Sequence, residues 1–286
     1  MIIAIVGPTG VGKTKLSIKL AKYYKAEIIN FDAMQVYEKM DIGTAKVTKI
    51  EMDGVKHHLL SYVDIDTNYS VYDYQKEARS LIDKLLKEKK NIIMVGGTGL
   101  YLKATLYDYR FNKEENTTNY DDLSIEELLN RISKYNYIPK DSNNKRRLVR
   151  ELVKLENNEE IDNNGDKLLY NAKIIGLTTD RETLYDRINK RVDIMVEDGL
   201  VEEVSSLKDK FTTSKALKTA IGYKEFIPYF NSECSLEEVI NKIKQNSRRY
   251  AKRQYTFFNN QLNVTWYQTD FNNFDNTVKQ VINDID

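Results

Sequence analysis

At 286 residues, 41% hydrophobic and 30% charged, the chain has enough apolar surface for one large or two modest cores. Its 44 Lys plus Arg against 43 Asp plus Glu exclude a whole-molecule basic field, so any nucleic-acid surface has to come from local clusters. The apolar opening, residues 1–6, is too short for a signal peptide or a membrane span, and the single cysteine, Cys234, allows no internal disulfide and has no metal-ligand companion. A cytosolic protein without zinc is expected.

In chain order, residues 2–6 read as a β-strand. A Gly/Pro/Thr turn follows, and then an amphipathic helix over 13–24 with Leu16 and Leu20 at helical spacing. A second strand is predicted over 27–31 and a third over 92–95, the latter preceded by a helix whose start is marked by Ser70 and Asp73 in capping spacing. Strand and helix in alternation predict a parallel sheet covered by helices. From about 109 to 170 the texture becomes rich in Asn, Lys and Glu. This segment reads as an inserted helical domain, with one helix opening at Ser124 and Glu127, a second over 146–155 and a loop over the low-complexity stretch 156–166. The core is thus expected over 1–110 and 171–286, and the insertion over 111–170.

Residues 173–177 return to strand character, and Thr179 with Glu182 reads as the capping pair of the next helix. A last long helix opens at Ser235 and Glu238, with Leu236, Val239, Ile240, Ile243, Tyr250 and Phe257 at helical steps, before a short strand over 264–267. On that helix Arg248 with Lys252, and Arg249 with Arg253, are four apart and share a face. Tyr250, Tyr255, Phe257 and Phe258 between them are expected to face the core. A second basic cluster is Lys145, Arg146, Arg147 and Arg150.

The motif with the clearest chemistry is Gly7-Pro8-Thr9-Gly10-Val11-Gly12-Lys13-Thr14, a P-loop between a predicted strand and a predicted helix. Its glycines let the backbone curl so that N–H groups point at phosphate oxygens. The helix N-terminus and Lys13 add positive charge, and Thr14 offers a hydroxyl to Mg2+. The fold expected is therefore α/β: a P-loop NTPase-like parallel sheet core flanked by helices, with an inserted helical domain. Asp32 ends the second strand at the carboxyl edge of the sheet, where ligands of open α/β sheets bind, and reads as a metal ligand, a catalytic base or a helix cap. The strand before Gly96 has no Asp of its own, so the arrangement of a hydrolytic NTPase is not evident. His57 and His58, the only histidines, read as a packing pair in a helix or loop, with a metal or base role as the alternative.

Beyond the P-loop, the chain carries Asp32-Ala33-Met34-Gln35-Val36-Tyr37, Met40-Asp41-Ile42-Gly43-Thr44-Ala45-Lys46, His57-His58-Leu59, Gly96-Gly97-Thr98-Gly99-Leu100-Tyr101, Ala220-Ile221-Gly222-Tyr223-Lys224 and Lys252-Arg253-Gln254. In this order, over nearly the whole chain, these runs resemble the tRNA dimethylallyltransferases of bacterial type. The resemblance implies that the P-loop, through Gly7, Thr9, Gly10, Val11, Gly12, Lys13 and Thr14, holds the diphosphate of dimethylallyl diphosphate rather than a nucleotide. It implies transfer of the dimethylallyl group to the exocyclic N6 amine of the adenosine beside the anticodon, in tRNAs reading codons that begin with U. Asp32 would be the general base, Thr98 a residue near the reacting centre and Arg191 a cation aimed at the diphosphate, with Mg2+ as cofactor held through Thr14. The tRNA anticodon stem-loop would meet Asp32, Ala33, Met34 and Gln35; Arg146, Arg147 and Arg150; Lys218, Gly222 and Tyr223; and Arg248, Lys252 and Arg253. A monomer is expected. One departure is visible: many relatives carry Ser after the catalytic Asp, and this chain has Ala33.

Overall fold

The first strand, β1 (Ile2–Val6), is apolar and buried at all five positions, which only a strand covered on both faces tolerates. The computed structural model, which describes residues 1–111, 120, 122–158 and 165–286, places it inside a parallel sheet. After β1 come α1 (Lys13–Tyr23), β2 (Ala26–Asn30), α2 (Lys49–Met52), β3 (His57–His58), α3 (Val71–Lys87), β4 (Asn91–Val95) and α4 (Gly99–Leu106). Then follow α5 (Ile125–Ser133), α6 (Lys145–Glu156), β5 (Ala172–Thr178), α7 (Arg181–Glu197), α8 (Leu200–Ser206) and α9 (Lys215–Thr219). The chain ends with α10 (Ile227–Phe230), α11 (Leu236–Gln261), β6 (Thr265–Gln268) and α12 (Phe274–Ile285).

The strand order is β3-β2-β4-β1-β5-β6, and every pairing is parallel. Odd positions of β1 (Ile3, Ile5) face a core shared with Leu16, Leu20, Ile188 and α12. Even positions (Ala4, Val6) face a second core with Tyr74, Ile82, Leu102 and Phe258. The period-two side-chain alternation of a strand thus divides the apolar residues between two helical layers. A third core joins Val36, Met40, Val192, Leu200, Tyr223 and Phe226.

Several elements differ from the sequence reading. The strand β3 was expected as helix or loop: two residues are too few for any periodicity, and it exists only because Ile28 and Ile29 offer a register to His57 and His58. The cap of α7 is Asp180, whose Oδ1 accepts from Thr183 N at 2.9 Å, and not Thr179. A carboxylate at that position also complements the helix dipole. The helix α12 carried no sequence signal of its own among the motifs, yet it buries Phe274, Val278, Val281 and Ile285.

Residues 108–166 form a second compact unit, somewhat shifted from the expected 111–170. Residues 167–170 go with the sheet unit, where Leu169 N donates to Leu106 O at 2.8 Å. Within the second unit α5 opens with the expected Ser124–Glu127 capping box, and α6 is capped by Asn144. Leu128, Ile132, Leu148 and Leu152 make its core. Residues 159–164 of the stretch expected as a loop lie outside the described residues.

Candidate active site

The turn between β1 and α1 forms because Gly7, Gly10 and Gly12 adopt φ of 136°, 89° and 94°, values that L side chains rarely reach. Side chains from distant elements hold its outer surface. Arg191 Nη1, on α7, donates to Thr9 Oγ1 at 2.6 Å, and Arg187, one helical turn earlier, donates from Nε to Gly10 O at 2.7 Å while stacking on Phe271. Thr269 Oγ1 reaches Val11 O at 3.1 Å. Lys13 Nζ donates to Pro8 O at 2.7 Å. Burial lowers the Lys13 pKa to about 7, the Arg191 charge adds to this, and the Asp32 carboxylate opposes it. Burial also lowers Arg191, again opposed by Asp32. Two partly buried cationic side chains whose charged forms are disfavoured at a single glycine-rich turn favour a bound anion, which is the electrostatic condition of a phosphate site.

The neighbouring strand ends build the other half. Asp32 N donates to Asn30 Oδ1 at 3.1 Å, and Asn30 Nδ2 is fixed by Leu59 O at 2.9 Å. Asp32 Oδ1 accepts from Met34 N at 3.0 Å, and Thr98 Oγ1 accepts from Ala33 N at 2.9 Å. Of the three readings open for Asp32, the helix cap is set aside: residues 33–36 form a turn, and the carboxylate closes that turn rather than opening a helix. Across from it, a Cβ added to Gly97 would stand 3.0 Å from Asp32 Oδ2 and 2.6 Å from Gln254 Nε2, so the glycine leaves the gap these groups occupy.

Gln254 was visible in the sequence only as part of a family motif, and the structure gives it a specific place. Its Oε1 accepts from Thr9 N at 3.3 Å and its Nε2 donates to Gly97 O at 2.8 Å. One buried amide therefore ties the phosphate loop to the turn facing Asp32. Tyr250 OH reaches the same carbonyl at 3.3 Å, and burial, with the Asp32 charge adding, raises its pKa. Arg187 and Gln254 were missed as site residues because each acts through backbone atoms far away in sequence.

The structure brings Gly7, Thr9, Gly10, Val11, Gly12, Lys13 and Thr14 together with Asp32, Thr98 and Arg191 in the sheet unit. The residues expected at a tRNA surface are more mixed. Arg249, Lys252 and Arg253 on α11 are exposed, as are Lys218 and, within the second unit, Arg146, Arg147 and Arg150. Arg248 is half-buried instead, with Nη1 donating to Asn189 Oδ1 at 2.6 Å. Gly222 and Tyr223 correct the expectation of direct contact. Both are buried, because the Gly222 N–H is given to Glu225 and the Tyr223 hydroxyl to Glu203, and neither can present itself to a macromolecule. His58 Nε2 bonds Glu27 at 2.6 Å on the edge strand, consistent with packing.

Comparison with known proteins gives the family. The model of the IPP transferase family matches residues 35–261. The tRNA dimethylallyltransferase of Bacillus pumilus is 43% identical over 282 residues, covering 93% of this chain and 89% of its own. The crystal structure of a tRNA isopentenylpyrophosphate transferase from Bacillus halodurans superposes with a TM-score of 0.79 at 41% identity, covering 99% of this chain and 95% of that one. A eukaryotic dimethylallyltransferase acting on tRNA superposes with a TM-score of 0.78 at 27% identity, over 98% of this chain and 77% of that one. The chain belongs to the IPP transferase family, as a tRNA dimethylallyltransferase.

Proposed function

We propose that the protein transfers the dimethylallyl group of dimethylallyl diphosphate to the exocyclic N6 amine of the adenosine beside the anticodon in tRNAs reading codons that begin with U, releasing diphosphate. The observation that carries the reading is the Gln254 bridge, which ties the cationic phosphate cradle to the turn facing the Asp32 carboxylate at one edge of the sheet. As the allylic C–O bond breaks, the diphosphate gains negative charge. The P-loop amides, Lys13 and Arg191 are preorganised to stabilise it. The adenine amine is a poor nucleophile that becomes acidic as it is alkylated, and Asp32 is the carboxylate that would take its proton. The adenosine has to leave its stack to reach the site, which a loop nucleotide does at a cost of a few kcal/mol.

The residues present fit Mg2+. The described residues hold no cluster of three or more His, Cys, Asp and Glu that would cage a metal, but Mg2+ keeps several waters and binds through few protein ligands plus substrate phosphates. The exposed Thr14 at the start of α1 would be such a ligand, and the ion would supply further charge neutralisation on the diphosphate. Among the described residues no helix is long and apolar enough to cross a membrane, and we propose action in the cytoplasm as a monomer.

The test is to incubate the protein with Mg2+, unmodified tRNA and dimethylallyl diphosphate, without ATP, and to read nucleoside masses after digestion. A five-carbon mass increase on the adenosine beside the anticodon is expected. No increase, with ATP consumed in a parallel reaction, would replace this reading by that of a P-loop kinase.

A further inference from the structure

Glu203 on α8 gathers four hydrogen bonds on one carboxylate. Its Oε2 accepts from Asp41 N at 2.9 Å and Ile42 N at 2.8 Å, and its Oε1 accepts from Gly43 N at 3.0 Å and from the Tyr223 hydroxyl at 2.6 Å. Three consecutive amides converging on one anion form a nest, and the charge on the acceptor makes each bond stronger than a neutral one. Tyr223 closes the arrangement from the other side. Its ring is fully buried, and a Cβ at Gly43 would stand 2.5 Å from it, so the ring lies directly against the loop backbone.

The loop so held reaches the site through Gln35. The Gln35 Nε2 donates to Thr44 O at 3.0 Å and Ala45 O at 3.3 Å, and Gln35 follows Asp32 by three residues on the same turn. We infer that Glu203 is a positioning residue for the acceptor: by clamping residues 41–43 with Tyr223, it sets the two carbonyls that orient the Gln35 amide, and thereby the surface beside Asp32 that engages the acceptor RNA. The inference rests on the proposed RNA acceptor. It predicts that loss of the clamp weakens engagement of RNA and leaves the diphosphate cradle, built on β1, α1 and α7, unaffected.

The test compares Glu203→Gln, which puts an NH2 group among the loop's N–H donors, with Tyr223→Phe, which removes a single hydroxyl and keeps the ring. With an anticodon stem-loop RNA as acceptor, KM for the RNA rises about tenfold in the first and about threefold in the second, while kcat and KM for dimethylallyl diphosphate stay within about twofold. Amide hydrogen exchange at Ile42 and Gly43 accelerates in both variants. A fall in kcat at unchanged RNA KM, or parallel loss of every parameter together with a lowered melting temperature in both variants, overturns the positioning role in favour of a merely structural one. If Glu203→Gln does not fold, Tyr223→Phe decides alone. A wild-type enzyme that modifies no RNA removes the proposed function and this inference together, whereas an active wild type matched by both variants removes only the inference.

Discussion

The donor half and the acceptor half of the site are built in opposite ways. The phosphate cradle is contiguous: the six residues between β1 and α1 and the first two of α1 supply its amides, its lysine and its hydroxyl, while distant side chains brace it and Arg191 adds its charge. The proposed acceptor half is assembled from the ends of β2 and β4, the loop over 41–46, α8 and the buried turn at 222–223, with hardly any chemistry adjacent in sequence. A local motif tolerates change elsewhere in the molecule. A composite one depends on every element that carries a piece of it, and the two halves should therefore fail differently.

The largest difference is expected at Asp32. Asp32→Asn keeps the turn, because the amide oxygen still accepts from Met34 N, but removes the base, and kcat should fall on the order of 10² to 10⁴-fold with RNA and donor binding nearly unchanged. Single-turnover rates with saturating substrates check it. Turnover within a factor of a few of wild type would take the base role from Asp32.

The joint between the halves comes next. Gln254→Glu replaces the donor facing Gly97 O by an oxygen while keeping the acceptor for Thr9 N, so a buried carbonyl is left facing an anion. Losing that bond and setting a charge against the carbonyl, which keeps only the longer Tyr250 bond, costs about 1–3 kcal/mol, so kcat/KM should drop about 10²-fold, with KM raised for both substrates at once. Gln254→Glu that raises only the donor KM would show that the bridge serves the cradle alone.

How far each half could be read in the sequence follows the same division. The P-loop, β1, β4 and the capping boxes at Ser70, Ser124 and Ser235 were legible because their spacing carries the physics: a turn of glycines, an apolar run, a cap three residues before its partner. Asp32 was legible as a residue at a strand end, and Thr98 and Arg191 only through resemblance. Gln254, Arg187 and Glu203 had no local signal. Each bonds backbone atoms more than 150 residues away, and only the fold brings those atoms near. Tyr223 was misread as a surface contact because a motif reveals that a residue matters, while burial decides whether it acts by touching a ligand or by holding a loop.

A smaller effect separates the cradle electrostatically. In the unliganded protein the Lys13 pKa lies near 7, well below its ordinary value of 10.5. Unfolded chains bind the extra proton between those limits and the folded one does not, so this group makes stability rise with pH through the window from about 7 to 10.5. Diphosphate reverses the balance by favouring the charged ammonium. At pH 8 its binding should be accompanied by proton uptake, seen as a dependence of the calorimetric enthalpy on buffer ionisation heat. Lys13→Met removes that part of the uptake, and identical uptake in both proteins would place the titration elsewhere.

The smallest expected effect lies on α11, where the structure redraws the basic face. Arg248 is engaged by Asn189, so the cations free to meet phosphates on this helix include Arg249, Lys252 and Arg253. Reversing Arg249 and Arg253 to Glu should weaken RNA binding and reduce the slope of log K against log salt by about 0.7 for each lost phosphate contact, because fewer counterions are released from a single strand. Transfer at saturating RNA should stay close to wild type, since neither side chain takes part in the Asp32, Gln254 and Thr9 network. Arg248→Ala, by contrast, should leave the salt slope alone. Equal slopes for the double reversal and the wild type would return the α11 face to an ordinary solvated surface and leave the acceptor half of the site, with its Glu203 clamp, to carry RNA recognition in the sheet unit.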